Sequence, residues 1–346
     1  MHLFVSVNTS PRNLLNSRSI YKSRRMNRAI LFTILCFLSS ILLSQEHVAE
    51  VRHLVSGSYE QYVQTPAIYH ESWDERSEII FWKTMMQVGP DWSVVYAPNS
   101  RKILNRIPTV IWKKFNRHQR YQHLQEIRKQ HGVEGKLFVA QGKSHFYRFH
   151  EVLPEMKSVI ATFNRYGVDP WYAQSVLMIE SPGQLLKSSA GAYGPFQLMK
   201  NVAIAFGLTI NKHKDERASY EKSAEAAAKL FKRACIPETK MILRRAGIRY
   251  KTSDLWFKLL VLHIYHAGTG NVQKALLKTG MKKGGMQLIT KLWQASEGGF
   301  QNASQNYSQL ALAAHICIEE LVHTQYTPVC RSSSYDYLKL LSVNDK

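Results

Sequence analysis

Apolar residues recur at helical spacing through the middle of the chain. Residues 152–167 carry one apolar helical face, formed by Val152, Met156, Val159, Ile160 and Phe163. Gly167 is a typical stop for that helix, and Asp169 and Pro170 then suit the N-cap and the first position of a second helix. The stretch that follows, 171–180, is apolar enough to form a buried helix.

Three further stretches predict helices: 222–235, which is rich in alanine, 255–268, which is almost wholly apolar, and 309–324. The helix over 171–180 should stop at Ser181, because the residue before a proline avoids helical geometry. No strand-like run interrupts residues 151–300. The predicted fold class is therefore mainly α, with a helical domain at 151–300 and a helical tail at 301–346.

Residues 45–150 are harder to interpret. Aromatic and basic residues are interleaved at 79–92 and 110–132, and the second of these stretches is compatible with a helix that ends at Gly132. Such a stripe suits either a helix with one buried face or a surface that stacks sugars or bases. We expect an accessory region of mixed or helical structure.

The N-terminus has the pattern of an export signal. Residues 1–28 carry six basic residues and no acidic one, and residues 29–43 form an apolar run. That run is short for a membrane span and typical of a signal-peptide core. We expect residues 1–44 to be a leader and the mature protein to be exported to the periplasm or cell envelope. The alternative is an uncleaved N-terminal anchor, through which alone the chain would contact a membrane.

The net charge of the chain is +21, and removing the leader lowers it to +15. A basic surface suits any polyanion, including nucleic acid, anionic lipid and the carboxylates of peptidoglycan, or it has no dedicated partner at all. The export signal and the lack of a recognised nucleic-acid motif argue against nucleic acid.

The chain contains four cysteines, at positions 36, 235, 317 and 330. Export permits a disulfide, and Cys317 with Cys330 is the favoured pair because the loop between them is short. No spacing of His and Cys suggests a metal site, so we expect no metal and no organic cofactor.

Glu180 is the candidate catalytic group. It lies at the C-terminal end of the apolar helix predicted over 171–180. Burial and the negative end of the helix dipole both raise the pKa of a carboxyl group there. Such a group stays protonated near neutral pH and can act as a general acid. The alternative is a solvated helix terminus with no catalytic role.

Two later blocks of residues favour the catalytic role of Glu180 over the solvated helix terminus. Residues 188–200 read SSAGAYGPFQLMK, in which Gly191 and Gly194 allow tight turns. Residues 264–272 read IYHAGTGNV, which places Tyr265 at a helix end before a second glycine turn.

Together these blocks resemble the catalytic domain of soluble lytic transglycosylases, in the lysozyme-like superfamily. That family has Glu-Ser at a helix end, a Ser-x-x-Gly-Ala-x-Gly block that leads to a Gln, and then Ala-Tyr-Asn-x-Gly. The matching pieces are Glu180–Ser181, residues 188–197 and residues 264–268. Residues 215–231 are similar to the branch of membrane-bound lytic transglycosylase D. The resemblance covers about 150–285 and implies a lysozyme-like helical domain that acts on peptidoglycan strands.

The chain departs from the family pattern in three ways. The stretch from Glu180 to Gln197 is one residue shorter than usual, Phe196 replaces the usual Met, and His266 replaces the usual Asn.

The resemblance also implies roles for single residues. Glu180 would act first as acid and then as base in cleaving the MurNAc–GlcNAc bond, leaving a 1,6-anhydro end. Tyr265 would hydrogen-bond Glu180, and Gly194 would let the backbone approach the substrate. The substrate-binding set would comprise Ser188, Gly194, Gln197, Met199, Tyr265 and His266.

Two alternatives stay open. A lysozyme-type hydrolase of the same superfamily would need a second carboxylate, for which the candidates are Asp215, Glu216 and Glu221. A non-catalytic wall-binding protein of the same fold would not use Glu180 at all. Under each of these hypotheses we expect other cell-wall proteins as further partners.

Overall fold

Helices dominate the part of the chain that the structure describes, residues 48–329 of this computed structural model. The predicted leader, residues 1–44, lies outside that range, and so does the chain from Cys330 onward. The described residues all belong to one compact unit.

Residues 48–150 contribute strands and helices. In chain order these are β1 (Val48–His53), β2 (Tyr59–Val63), α1 (Ala67–His70), α2 (Ser77–Gln87), β3 (Trp92–Tyr96), β4 (Ile103–Pro108), α3 (Thr109–Lys114), α4 (Arg117–His131) and β5 (Phe138–Gln141). The region that we expected to be mixed or helical is therefore mixed.

The rest of the described chain is almost entirely helical. It comprises α5 (Phe149–Arg165), α6 (Pro170–Glu180), α7 (Lys200–Ala205), a 3₁₀ turn (Glu216–Ala218), α8 (Tyr220–Leu230), a π turn (Phe231–Cys235), α9 (Ile236–Arg245), α10 (Leu255–Ala267), α11 (Thr269–Lys278), α12 (Met286–Gln294), α13 (Ala303–Gln325) and the short strand β6 (Tyr326–Pro328). The predicted mainly α fold class is confirmed.

Two small antiparallel sheets flank the helices. One has the strand order β2-β1-β6, and the other has the order β4-β3-β5. In the first sheet Val51 pairs with Pro328 and His53 pairs with Tyr326. The two ends of the described chain are thus joined by backbone hydrogen bonds.

One large hydrophobic core extends from Val51 in β1 to Tyr326 in β6 and includes the inner faces of the central helices. A smaller cluster lies between the second sheet and α4, formed by Val95, Ala97, Leu104, Ile107, Ile127 and Leu137. The predicted segments 45–150, 151–300 and 301–346 stay a prediction as domains, but all three contribute side chains to the large core.

Several local predictions are confirmed in detail. Gly167 follows α5 with a positive φ, and the Asp169 side chain caps α6 by accepting a hydrogen bond from the Trp171 amide at 2.9 Å. Gly132 ends α4 in the left-handed conformation. The stretch 110–132, however, is broken into two helices, because Asn116 forms a capping box that starts α4 anew.

Within residues 48–329 no helix is both long and apolar enough to cross a membrane. The same residues contain no cluster of His, Cys, Asp and Glu that could hold a metal ion. Cys317 is buried in α13 with a free thiol, and Cys330, its expected disulfide partner, lies outside the described residues.

The start of α6 is anchored by charge. The buried ammonium group of Lys258, on α10, lies 2.7 Å from Oδ2 of Asp169, the same residue that caps α6. Lys258 also lies over the ring of Trp171, 5.7 Å from its centroid. Asp169 therefore caps the helix and neutralises a charge that is shielded from water.

We expect Asp169→Ala to destabilise the fold more than Asn116→Ala, which removes only the exposed cap of α4. Loss of a cap costs about 1 kcal/mol in either variant, and Asp169→Ala also removes the carboxylate beside the buried Lys258 ammonium group, which adds to the loss. Urea unfolding of both variants measures the difference. Equal losses would contradict a structural role for the Asp169–Lys258 pair.

Candidate active site around Glu180

The helix that carries Glu180 is held from both sides by a buried polar network. The Gln174 side chain accepts a hydrogen bond from the Val63 amide at 2.7 Å and donates one to the Val63 carbonyl at 2.8 Å. On the other side, the Ser175 hydroxyl lies 2.9 Å from Nε2 of His315, and the His315 ring stacks on Trp171. These contacts fix α6 between β2 and α13.

Glu180 occupies the end of this fixed helix. Ser181 leaves helical geometry with φ −148°, and Pro182 follows it. Burial raises the pKa of Glu180 to about 7, and no neighbouring carboxylate among the described residues contributes to that shift. The carboxyl at this helix end therefore has a raised pKa, as expected from its position, and its catalytic role stays a prediction.

Tyr307 is the hydrogen-bond partner of Glu180. Its hydroxyl donates to Glu180 Oε1 at 2.6 Å, and this bond opposes the effect of burial on the pKa of the carboxyl. Tyr307 is only 4% exposed. Burial and the nearby Glu180 carboxylate raise the pKa of its own hydroxyl, so the phenol stays protonated near neutral pH.

Tyr307 was not among the predicted site residues, because the pattern predicts the tail helix only from 309 onward. A signal was present: Tyr307 lies on the buried apolar stripe of α13 that continues through Ala311, Ala314 and Ile318. A tyrosine in such a stripe needs a partner for its hydroxyl.

Tyr265 is not bonded to Glu180 as the resemblance implied. Its hydroxyl donates to the Phe196 carbonyl at 2.6 Å, and its ring stacks on Phe231 at 4.8 Å. The residue is still close enough for Glu180 to raise the pKa of its hydroxyl, after burial as the main cause. Tyr265 thus fixes the glycine-containing block against α10, and Tyr307 takes the contact with Glu180.

His266, the next residue on α10, lies against Tyr307. The two rings are 4.4 Å apart at their centroids and inclined by only 19°. The structure therefore brings Glu180, Tyr307 and His266 into one chain of contacts.

The fold itself requires glycine at position 194, apart from the substrate approach that the resemblance implied. Its φ is +82°, and a Cβ at this position would lie 1.8 Å from the backbone oxygen of Arg217. The close approach that requires glycine is thus made by the protein's own backbone. Arg217 is buried and donates from its guanidinium to the carbonyls of Gly191 and Leu198, both at 2.9 Å.

Gln197 also serves the loop. Its side-chain amide donates to the carbonyls of Leu186 and Gly194, at 2.7 and 3.0 Å, and more weakly to the Ser181 hydroxyl at 3.4 Å. Its backbone is left-handed, with φ +43°. The amide nitrogen is therefore engaged within the fold, which leaves the side-chain oxygen for a contact with a sugar.

Ser188 and Met199 are the predicted substrate contacts at the ends of this block. The Ser188 hydroxyl accepts a hydrogen bond from the Ala192 amide at 3.0 Å, which leaves its proton to be donated. Met199 is 40% exposed, unlike the buried Leu198 beside it. Both positions suit a surface that a ligand contacts, and their roles stay predictions.

The shortened loop after Glu180 is tightly folded. The Gln184 amide donates to the Ser181 carbonyl at 3.0 Å, and its side chain donates to the Phe146 carbonyl at 3.1 Å. Gly183, with φ +71°, lies so close to Glu151 that a Cβ would be 2.7 Å from it. The lost residue is thus accommodated by packing against the segment before and within α5.

Two of the three carboxylates that a hydrolase could use are engaged in contacts within the fold. Asp215 forms an ion pair with the Arg217 guanidinium at 2.7 Å, and hydrogen bonds from Arg217 hold the pKa of the carboxyl below its usual range. Glu216 accepts the Thr209 amide at 2.7 Å and pairs with Lys214. Glu221 is exposed in the first turn of α8.

Comparison with known families assigns this helical region. Residues 157–287 match the Transglycosylase SLT domain. This part of the chain is a soluble lytic transglycosylase catalytic domain of the lysozyme-like superfamily. A comparison with curated proteins found no match.

The SLT domain supports lytic transglycosylase activity on peptidoglycan in general. It includes Glu180, the glycine-containing block and Tyr265, whereas Tyr307 lies beyond its last residue. The partner of the candidate acid is therefore supplied by the C-terminal helix, outside the matched segment.

A pair of glycine substitutions tests the account of the block. Gly194→Ala should lose about 2–5 kcal/mol of stability, because it combines left-handed strain with a clash against the Arg217 backbone. Gly191→Ala has the same strain, with φ +89°, but no atom lies within 4 Å of its Cβ, so it should lose only about 1–2 kcal/mol. Chemical denaturation of both variants measures this, and equal losses would contradict the proposed close approach.

A second prediction concerns the burial of Glu180. Its pKa is about 7 in the folded protein against an ordinary value of 4.5, so protonation favours the fold and this contribution is lost as the pH rises through 7. Glu180→Gln removes the cost of a buried carboxylate. Its melting temperature relative to wild type should therefore rise between pH 5 and pH 8. The exposed Glu221→Gln variant is the control, and an unchanged difference for Glu180→Gln would contradict the raised pKa.

Proposed function

We propose that the protein cleaves the glycan strands of peptidoglycan as a lytic transglycosylase with Glu180 as its single catalytic carboxyl group. The observation that carries this proposal is the half-buried Glu180 carboxyl, whose desolvation raises its pKa to about 7 and which accepts a hydrogen bond from Tyr307. A carboxyl that titrates near neutral pH can donate a proton in one step and accept one in the next.

The reaction proceeds in two proton transfers. Glu180 protonates the glycosidic oxygen as the bond from C1 of N-acetylmuramic acid to that oxygen breaks, and the N-acetylglucosamine side leaves with a hydroxyl group. The resulting carboxylate then takes the proton from the C6 hydroxyl of the muramoyl residue. The C6 oxygen bonds to C1 and closes a 1,6-anhydro ring, and Glu180 is again protonated.

Tyr307 has a defined part in this cycle. Its hydroxyl donates to Glu180 Oε1, so one oxygen of the carboxyl is occupied and the other can carry the transferred proton. The same bond stabilises the carboxylate that exists between the two transfers. The pKa of Glu180 is therefore lower than burial alone would make it.

A hydrolase is the rival reaction. Inverting and retaining glycosidases use a second carboxylate to activate water or attack the sugar. Asp215 is held in an ion pair with Arg217, and Glu216 is tied to Lys214 and the Thr209 amide. The engagement of these groups within the fold favours attack by the C6 hydroxyl over attack by water.

The place of action is part of the proposal. Peptidoglycan lies outside the cytoplasm, and residues 1–44 have the pattern of an export signal. We therefore infer an exported protein of the periplasm or cell envelope, whose substrate is the glycan strand and whose further partners are other wall proteins.

Digestion of purified peptidoglycan tests the reaction. We expect the wild type to release muropeptides with 1,6-anhydro ends, which are one water lighter than hydrolysis products, and Glu180→Gln to lose about 10²–10⁴-fold of the rate. The controls Glu216→Gln and Glu221→Gln should keep it. The readout is mass spectrometry of the released fragments.

The outcomes separate the candidate functions. Reducing ends alone would establish the hydrolase, and unchanged activity of Glu180→Gln would remove Glu180 from the mechanism. A protein that binds the wall but releases no fragment would be a non-catalytic member of the same fold.

A further inference from the structure

The ring stack between His266 and Tyr307 is not explained by the activity proposed above. His266 lies in the last turn of α10, and Tyr307 lies in the second turn of α13. Their ring centroids are 4.4 Å apart at an inclination of 19°, and the far end of the Tyr307 ring carries the hydroxyl that donates to Glu180 at 2.6 Å. Three residues from three helices are thus linked in series.

The shape of the tyrosine side chain means that this stack affects the position of the Tyr307 hydroxyl. The hydroxyl lies at the far end of a rigid ring, so a small change in the χ1 torsion of Tyr307 swings the oxygen through much of the range of a hydrogen bond. A ring packed against one face of Tyr307 blocks that swing on its side, because aromatic pairs have preferred stacked geometries. One face of the Tyr307 ring is covered in this way by His266, whose own side chain is exposed on its outer side.

We propose that His266 is a positioning residue, which restrains the swing of the Tyr307 side chain and thereby holds its hydroxyl, and with it the Glu180 carboxyl, in the orientation that proton transfer needs. This inference rests on the proposed function, since it concerns the same carboxyl. It differs from the substrate contact that the resemblance implied for His266.

The titratable groups around this chain of contacts leave the imidazole neutral in the working range. Tyr265 on α10, Tyr307 on α13 and Tyr147 before α5 interact with Glu180, and burial raises the pKa of each hydroxyl. Partial desolvation on the side that faces Tyr307 lowers the pKa of the exposed His266, and full burial lowers the pKa of the neighbouring His263. Cys235 in the π turn is also near Tyr265 and Tyr307, and burial raises the pKa of its thiol to about 12. The contact between the rings is therefore a stack of two neutral rings.

Replacement of His266 by residues of different shape separates the possible roles. Phenylalanine keeps a flat ring and removes the imidazole nitrogens. Alanine removes the ring. Asparagine is the usual residue of the resembling family and has no aromatic face. If the stack positions Tyr307, then His266→Phe should behave as wild type, whereas His266→Ala and His266→Asn should both be impaired.

The experiment is a double-mutant cycle on soluble glycan strands, with His266→Ala, Tyr307→Phe and the double variant, and with His266→Phe as the rescue. We expect His266→Ala to lower kcat by about 10-fold with little change in KM, since a misplaced catalytic group costs up to about 10²-fold. The double variant should be no slower than Tyr307→Phe alone, because both changes break the same series of contacts.

The pH profile supplies a readout that a purely structural role would not move. Tyr307→Phe removes a hydrogen bond that lowers the pKa of Glu180, so the alkaline limb of the kcat profile should move to higher pH. His266→Ala should move it in the same direction, and His266→Phe should leave it in place.

Several results would overturn the proposal. These are an unchanged kcat in His266→Ala, independent losses that multiply in the double variant, or a rise in KM that His266→Phe does not rescue, which would make His266 a direct sugar contact. If the wild type cleaves no glycan, the proposed function fails by itself. The ¹³C titration of the Glu180 carboxyl in wild type, His266→Ala and His266→Phe then still tests the positioning role, and identical titrations would refute it.

Discussion

The hydrogen bond from Tyr307 to Glu180 joins two parts of the chain that the rest of the structure is arranged to bring together. Glu180 ends α6, whose start is fixed by Asp169 and Lys258 and whose sides are held by Val63 and His315. Tyr307 lies in α13, which continues directly into β6. Because β6 pairs with β1, the end of α13 is tied to the first described strand. Partial removal of the Glu180 carboxyl from water raises its pKa, and the donor that this framework supplies limits the rise.

This framework gives the regions outside the matched SLT segment a place in the site. Residues before 150 supply β1 and β2, and β2 is bonded to the catalytic helix through Gln174. Residues after 300 supply α13, with both Tyr307 and His315. The candidate acid, Glu180, lies in the SLT domain, but its surroundings include side chains from both flanking regions.

The sequence predicted the helices well where local chemistry decides them. Apolar spacing, the Asp169 cap and the Gly132 and Gly167 stops all act within a few residues, and each is found where expected. The site was predictable only in part. Short motifs predict Glu180 and the glycine-containing block. The hydrogen-bond partner of Glu180 lies more than a hundred positions further along the chain, and no short motif marks it.

One contact that the resemblance implied is not found, and another position has a further structural role. Tyr265 bonds the Phe196 carbonyl rather than Glu180, and Gly194 makes room for the Arg217 backbone, while its approach to the substrate stays a prediction. A residue pattern shows that a hydroxyl group or a glycine is needed at a position. Which atom that group contacts depends on tertiary packing, and a sequence pattern does not contain that information.

The most direct test of this account is the titration of Glu180 in the folded wild-type protein. Carbon-13 labelling of glutamate side chains, with Glu180→Gln to assign the signal, gives the pKa of this one carboxyl by NMR. The account predicts a midpoint of about 7. A midpoint near the ordinary value of 4.5 would contradict it, because Glu180 would then be ionised at neutral pH and could not act as the acid.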